Sequence, residues 1–277
     1  MQATQLTDIP EHLQKLHDPP RQLWRKGVLP SSERPHIAIV GTRHPSDAGK
    51  RITRRLAGEL ASAGCVIVSG LAFGIDAEAH TAALDAGGQT IAVLASGVDQ
   101  PGPPSSIPIA TRILEHKQGC LLSEYAPSTP ALKHQFIARN RIVSGLAQLT
   151  LVIEGGETSG TRSTAEFALQ QGREVGAIPG SPLHPMSATP NALLKDGAHV
   201  ITCTQDVLDI LQITSTHISS NTTPSPIERF LQYGPQTFEE IQNALQQGHE
   251  ECMSALTELE LAQRITRDVF GRYCRKT

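Results

Sequence analysis

HIAIVGTRHPSDAGK, residues 36–50, is the stretch that decides the fold of this chain. It begins with a continuous apolar run, turns at a glycine and ends in residues that favour the start of a helix. A run that is apolar at every position predicts a strand covered on both faces, which is typical of parallel sheets with helices on each side. The stretch therefore predicts a strand, a tight turn and a helix.

The same pattern recurs through most of the chain. Apolar runs followed by turn residues lie at 36–41, 65–70, 90–96, 120–125, 149–156, 174–180 and 199–203. Helix-like segments, such as 46–63 and 161–171, lie between these runs. Alternating strands and helices predict an α/β fold with a Rossmann-like, doubly wound and mostly parallel sheet.

Four segments are expected along the chain. Residues 1–34 form a leader that we expect to lie as an extended arm on the core, and residues 35–212 form the Rossmann-like domain. The Ser-, Thr- and Pro-rich segment 213–225 predicts a linker. Residues 226–277 suggest three short helices and a hairpin, which is the pattern of a small winged-helix domain.

Composition favours an intracellular protein with a substantial core. Of its 277 residues 39% are hydrophobic, and the net charge is −3. The first residues lack an apolar run after a basic start, and no stretch has the length of a transmembrane helix. Cys65, Cys120 and Cys203 lie in or beside apolar runs, and the five cysteines include no CxxC pair. We therefore expect buried free thiols, a cytoplasmic location and no membrane partner.

The first strand ends in a turn that suits an anion. Gly41 permits a tight turn, Ser46 is a favourable N-cap for the next helix, and Arg43 lies between them. A helix N-terminus attracts phosphate, and a guanidinium binds phosphate with two hydrogen bonds. The alternative is that Gly41 and Ser46 only close the turn.

Two further turns have the same character. The second follows the strand at 65–70 and contains Ser69, Gly70 and Gly74, and the third contains Ser159 and Gly160. Their backbone amides are candidates for phosphate binding. Since open α/β sheets bind ligands at the carboxyl ends of their strands, the three turns together predict a surface that follows successive phosphates.

A basic segment, KHQFIARNR, adds cations and a ring. Lys133, Arg139 and Arg141 fall within nine residues that contain no acid, and Phe136 lies among them. Cations follow a phosphate backbone, and an aromatic ring stacks on an unpaired base. The alternative is a solvated basic helix face with Phe136 in the core, and composition alone leaves both interpretations open.

Catalytic and metal-binding patterns are missing from the sequence. It contains no HExxH, no GxSxG and no GK[ST] phosphate loop. Asp76, Glu124, Glu154 and Glu166 are scattered carboxylates. We therefore expect a binding protein that is not an enzyme, with no catalytic residue, no cofactor and no metal.

Several motifs, taken in order, resemble the DNA-processing protein A family, DprA/Smf. They are GTRHPS, SGLAFGIDAEAH, ASGVDQ, FIARNRIVSGL, SGTRSTAEFALQQGREVGAIPGS and NALLKDGA, and they span residues 35 to 211. The resemblance implies single-stranded DNA binding in natural transformation, protection of that DNA and help in loading the recombinase RecA. It also implies a homodimer formed through the Rossmann-like domain, and a C-terminal winged helix.

The resemblance also implies roles for individual residues. By motif, Arg43 is the cation of the first turn, Lys133 lies in the binding pocket and Phe136 stacks on a base. Arg139 and Arg141 belong to the matching RNR segment, while Ser159 and Gly160 match the turn before a helix. The chain departs from the family pattern at Ile137, where proline is usual, at Arg162, and in the segment PGPPSSIP.

Two other functions are open from the sequence. GGETSGTRSTAE, which includes Glu166, is similar to the PGGxGTxxE motif of lonely-guy phosphoribohydrolases, although its spacing differs. The second alternative is a non-enzymatic adaptor that has lost DNA binding. Residues 226–277 have a net charge of −2, which favours protein contact over duplex binding by that domain.

Overall fold

The structure is a computed structural model, and it describes residues 2–115, 119–157, 159–213, 225–246, 248–261, 264–268 and 271–275. The chain divides into two compact units, Met1–Ile218 and Ser219–Thr277. The linker predicted at 213–225 lies outside the described residues except for its first and last positions.

Unit 1 alternates strands and helices. Its strands are β1 (Thr4–Gln5), β2 (Trp24–Gly27), β3 (His36–Val40), β4 (Val66–Ser69), β5 (Gln89–Val93), β6 (Gly119–Ser123), β7 (Leu149–Val152), β8 (Glu174–Ala177) and β9 (His199–Val200). Its helices are α1 (Glu11–Gln14), α2 (Asp47–Ser62), α3 (Ile75–Asp85), α4 (Ile107–Glu115), α5 (Lys133–Leu146), α6 (Gly160–Gln170), α7 (Ala188–Lys195) and α8 (Thr204–Ile210). Each apolar run found in the sequence contains one of the strands β3 to β9 or overlaps it.

The nine strands form one sheet in the order β1-β2-β6-β5-β4-β3-β7-β8-β9. Strands β3 to β9 pair in parallel, and the two leader strands pair antiparallel at one edge. The predicted Rossmann-like fold is confirmed. The strand order reverses between β3 and β7, the position where open α/β sheets form a ligand crevice.

Two apolar cores cover the two faces of the sheet. Successive side chains of β3 alternate between them, with Ala38 in one core and Ile37 in the other. One core includes Ile142 of α5, and the opposite core includes Leu56 of α2. Because both faces are covered, every residue of β3 is buried, which is why the sequence reads as a continuous apolar run.

The leader is more regular than the extended arm that the sequence suggested. Strand β2 pairs antiparallel with β6, and β1 pairs with β2. Leu13 of α1 and Leu23 are fully buried. Pairing with β2 satisfies the backbone groups of β6 that an exposed edge would leave open, so the leader is part of unit 1.

Unit 2 contains three helices and a hairpin. They are α9 (Pro226–Leu231), α10 (Phe238–Leu245), α11 (His249–Leu261), β10 (Ile265–Arg267) and β11 (Tyr273–Arg275). Ser225 and Thr237 cap α9 and α10, and each forms a capping box with a glutamate. The order of elements is the one that the sequence suggested, and the assignment as a winged helix stays a prediction.

The cysteines differ from the expectation at one position. Cys65 and Cys120 are buried free thiols, and burial raises the pKa of Cys65 to about 11 and that of Cys120 to about 12. Cys203 is exposed, because it lies just beyond the short edge strand β9 at the start of α8.

Among the described residues, no helix is both long enough and apolar enough to span a bilayer.

His80 of α3 is a buried neutral imidazole. The Thr90 hydroxyl donates to the carbonyl of Ile67 at 2.7 Å, so its oxygen accepts from Nδ1 of His80, also at 2.7 Å. Burial, together with the nearby charge of Arg139, lowers the pKa of His80 from 6.5 to about 3. Protonation would place an uncompensated charge in the core.

Replacing His80 is expected to change the pH dependence of stability. Between pH 6.5 and about 3, the unfolded chain binds a proton at this position that the folded chain excludes. The free energy of unfolding should therefore fall with decreasing pH by about 1.4 kcal/mol per unit from this group. Urea denaturation between pH 7 and 5 should show a shallower slope in His80→Asn. The exposed His134→Asn should keep the wild-type slope, and an unchanged slope in His80→Asn would contradict the assignment.

Candidate nucleic-acid interface

Three loops meet at the carboxyl edge of the sheet. They follow β3, β4 and β7, and they comprise residues 41–46, 70–74 and 153–159, of which 158 is not described. The pairing order β4-β3-β7 makes these loops neighbours at the point where the strand order reverses. We call this part of the molecule the loop edge.

Two glycines allow the first two loops to touch. The amide of Ile75 donates to the carbonyl of Thr42 at 3.2 Å. Gly74 has a φ of 77°, and a Cβ there would lie 2.4 Å from the Thr42 oxygen. A Cβ at Gly41 would lie 2.5 Å from the side chain of Ile75. Gly41 and Gly74 therefore allow the close packing of the two loops, and the backbone contact with DNA expected of them stays a prediction.

The structure brings together Arg43 and Phe136. The Arg43 guanidinium lies over the ring of Phe136, with Cζ 5.6 Å from the ring centroid. Phe136 is half-buried on α5, and the exposed Lys133 is the first residue of that helix. Residues three apart lie on the same helix face, so Lys133 lies on the face of α5 that also bears Phe136.

Helix α5 also reaches the third loop. The side-chain amide of Asn140 donates to the carbonyl of Gly160 at 3.4 Å and to the hydroxyl of Ser163 at 3.0 Å. Asn140 lies one turn beyond Phe136, so the start of α6 lies beside the same helix face. Ser159 caps α6 by accepting from the amide of Thr161 at 3.1 Å. Sequence reasoning missed Asn140, although its spacing of four residues from Phe136 is a usable signal.

The helix start expected to bind a phosphate is occupied by a carboxylate of the protein itself. Glu154, which follows β7, accepts from the amide of Ser46 at 2.9 Å and from its hydroxyl at 2.5 Å. The Ser46 hydroxyl in turn accepts from the amide of Gly49 at 3.0 Å. Since a helix N-terminus favours a negative charge, Glu154 supplies it internally. The predicted N-cap role of Ser46 is confirmed, and its amide and hydroxyl are already paired with Glu154, which argues against the phosphate contact also expected of it.

Two backbone amides of the second loop also have hydrogen-bond acceptors within the protein. Asp76 accepts from the amides of Gly70 at 3.1 Å and Ala72 at 3.3 Å. Ser69 is buried, and its hydroxyl donates to the carbonyl of Ile39 at 2.7 Å. The groups of Ser69 and Gly70 that were expected to hold a phosphate already have partners within the protein.

Arg139 lies beneath the loop edge instead of facing solvent. It is 4% exposed, and its guanidinium donates to the carbonyls of Gly70 and Val93, at the ends of β4 and β5. A Cβ at Gly70 would lie 2.6 Å from the guanidinium, so only glycine permits this approach. Burial raises the pKa of the Asp76 carboxyl and lowers that of Arg139, while their mutual attraction opposes both shifts. Arg139 is thus a positioning residue.

Arg141 is likewise withdrawn from the loop edge. It is 7% exposed, and its two terminal nitrogens bind the two oxygens of Glu124 at 2.9 and 2.7 Å. Its Nε also donates to Asp18 of the leader at 3.0 Å. The expectation that Arg139 and Arg141 follow a phosphate backbone does not fit these internal contacts. Arg139 and Arg141 lie to either side of the helix face that residues 133, 136 and 140 share, and each guanidinium is held by internal partners.

The fold and the loop edge define a Rossmann-like α/β protein in which a cation of the loop after β3 contacts an aromatic ring of α5. The chain belongs to the DNA recombination-mediator protein A family, whose model matches residues 2–212. The resemblance to DprA/Smf proteins that the motifs suggested is confirmed.

Curated relatives from distant bacteria share this region. The chain is 41% identical over 203 residues to DNA processing protein DprA of Bacillus subtilis, covering 73% of this chain and 68% of that protein. It is 41% identical over 203 residues to protein Smf of Escherichia coli, covering 73% of this chain and 54% of that protein.

Solved structures show the same relationship. DNA processing protein A of Streptococcus pneumoniae is similar with a TM-score of 0.68 and 39% identity, covering 75% of this chain and 73% of that one. DNA processing protein A of Helicobacter pylori, whose structure describes a single-stranded DNA binding mode, has a TM-score of 0.70 and 32% identity. That match covers 76% of this chain and 96% of the other.

Replacing Arg139 is expected to destabilise the protein. Arg139→Met leaves two carbonyls without a donor and Asp76 without its nearby cation, at a cost of roughly 3 kcal/mol in the free energy of unfolding. Adding Asp76→Asn should recover part of that loss, because the unpaired charge is removed with it. Urea denaturation measures both.

The matched control is Arg162→Met. Arg162 and Glu166 form an ion pair at 2.9 Å whose side chains are 53% and 54% exposed. Its loss should change the free energy of unfolding by less than about 1 kcal/mol. Equal effects of the two arginine replacements would contradict the positioning role of Arg139.

Proposed function

We propose that this chain binds single-stranded DNA at the loop edge through Arg43, Lys133 and Phe136, and that it acts as a recombination mediator. The observation that supports this most directly is the placement of the Arg43 guanidinium over the Phe136 ring at 5.6 Å. Exposed cations attract phosphates, while the ring stacks on an unpaired base, which is the usual combination for single strands. Family membership supports the same function.

Ser159 and Gly160 extend the proposed interface. Gly160 is exposed at the start of α6, and a Cβ there would meet no atom within 4 Å. Asn140 connects this helix start to the α5 face that bears Phe136. The exposed helix start is a flanking contact for phosphate in this proposal, secondary to the side-chain cations.

We also propose that binding proceeds without bond chemistry. Glu166, the carboxylate that the phosphoribohydrolase comparison would require, is exposed and paired with Arg162. In the described ranges, no three His, Cys, Asp or Glu side chains come together as metal ligands. Incubation with nucleoside monophosphates should release no free base, and release would support the enzymatic alternative.

Three further proposals rest on the family resemblance. They are a cytoplasmic location, homodimerisation through the Rossmann-like unit and transfer of the bound strand to RecA. Light scattering on the purified chain tests the homodimer. A pull-down with RecA, performed with and without single-stranded DNA, separates a mediator from an adaptor that has lost DNA binding.

Replacing Arg43 or Lys133 with alanine should weaken binding to oligo-dT. Each loses one phosphate contact, so the slope of log K against log salt should become shallower by about 0.7 for a single strand. Fluorescence anisotropy at several salt concentrations measures affinity and slope together. Wild-type affinity and slope in both variants would exclude this interface.

The chain offers a control for each cation. Arg34 is exposed and precedes β3, at the opposite end of that strand from Arg43. Lys195 is exposed at the end of α7, which leads to the amino end of the parallel strand β9. Arg34→Ala and Lys195→Ala remove the same charges from the far edge of the sheet. Both should bind oligo-dT like the wild type.

A further inference from the structure

An exposed aromatic side chain at the loop edge has no part in the site described so far. Phe73 lies in the loop between β4 and α3, and it is 47% exposed in a chain that has only six phenylalanines. Burial in the core does not explain a phenylalanine here, because about half of its surface stays in contact with solvent. A ring held open in a loop is available to a ligand.

The loop holds Phe73 in a defined position. Leu71 has a φ of 58° and Gly74 has a φ of 77°, so the backbone on both sides of Ala72 and Phe73 is in the left-handed region. Asp76 accepts from the amides of Gly70 and Ala72, which fixes the first half of the loop. Preorganisation of this kind reduces the entropy lost when a ligand binds.

Two contacts connect the loop that carries Phe73 to residues near the proposed interface. A Cβ at Gly74, the next residue, would lie 2.8 Å from the backbone carbon of Arg43, so the two loops are in direct contact. From the other side, Arg139 donates to the carbonyl of Gly70, three residues before Phe73, and lies one helical turn beyond Phe136. The loop that carries Phe73 thus contacts the backbone of Arg43 and, through Arg139, the helix that carries Phe136.

We propose that Phe73 is a second stacking platform, on which a base of the bound single strand rests beside the base held at Phe136. This inference deepens the proposed function and rests on it. In this arrangement the guanidinium of Arg43 neutralises a phosphate of the strand, and each ring takes a base. The arrangement recognises unpaired bases of any sequence, since every base has an aromatic face.

The experiment compares Phe73→Ala, Phe73→Tyr and the wild type by fluorescence anisotropy. The probes are oligo-dT and an oligonucleotide of equal length in which every nucleotide is abasic. On oligo-dT, Phe73→Ala should weaken binding by about 5- to 150-fold, the range of one base–aromatic stack, without changing the salt slope. Phe73→Tyr should bind nearly as the wild type does. On the abasic strand all three should bind alike.

Tyr233→Ala is the matched control, because Tyr233 is an aromatic residue of unit 2 with 80% exposure. It should bind oligo-dT as the wild type does. Thermal melting checks that the exposed replacement at Phe73 leaves the fold intact.

The outcomes separate this inference from the proposed function. A wild type that fails to bind oligo-dT overturns both. A wild type that binds, with an unaffected Phe73→Ala, overturns the stacking role of Phe73 alone. An equal loss on the abasic strand also overturns it, since no base is present to stack.

Discussion

The buried guanidinium of Arg139 is the contact on which the geometry of the loop edge depends. It donates to carbonyls at the carboxyl ends of β4 and β5, beside the buried carboxyl of Asp76, which accepts from two amides of the β4–α3 loop. A cation withdrawn from water in this way is costly unless its donors find partners. Once the partners are present, the same contacts fix helix α5 against the loops. Helix α5, whose Phe136 contacts Arg43, is thereby held at the ends of β4 and β5.

Anion-binding groups at this edge are largely saturated by the protein itself. Glu154 occupies the start of α2, and Asp76 accepts from two amides of the second loop. In the proposed interface, attraction for a polynucleotide therefore depends on exposed side chains, chiefly Arg43 and Lys133. A local pair of cations is compatible with a net charge of −3, because screening at physiological salt limits the reach of distant acids to about 8 Å.

Most of the fold could be predicted from the sequence, but a smaller part of the candidate site could. Buried parallel strands read as continuous apolar runs, so β3 to β9 could be located from the sequence, whereas β2 could not, since its four residues WRKG are only half-buried at an edge. At the site, Arg43, Lys133 and Phe136 could be singled out because charge and aromaticity are visible in a sequence, and the structure leaves both cations exposed. The roles of Ser46, Ser69 and Gly70 were not, because glycine- and serine-rich turns look alike whether their amides face a ligand or an internal carboxylate.

The segment KHQFIARNR shows why sequence proximity misleads about function. Its three cations form one cluster in the sequence, but an α-helix turns 100° per residue and sends them in different directions. Lys133 shares a face with Phe136 and Asn140 and stays in solvent, Arg139 points beneath the loops, and Arg141 pairs with Glu124 and the leader. One short helix thereby supplies an exposed cation, a contact that joins the ends of β4 and β5, and an anchor for the first segment of the chain. A change at any of these three positions removes one positive charge, but only the first removes it from the proposed interface.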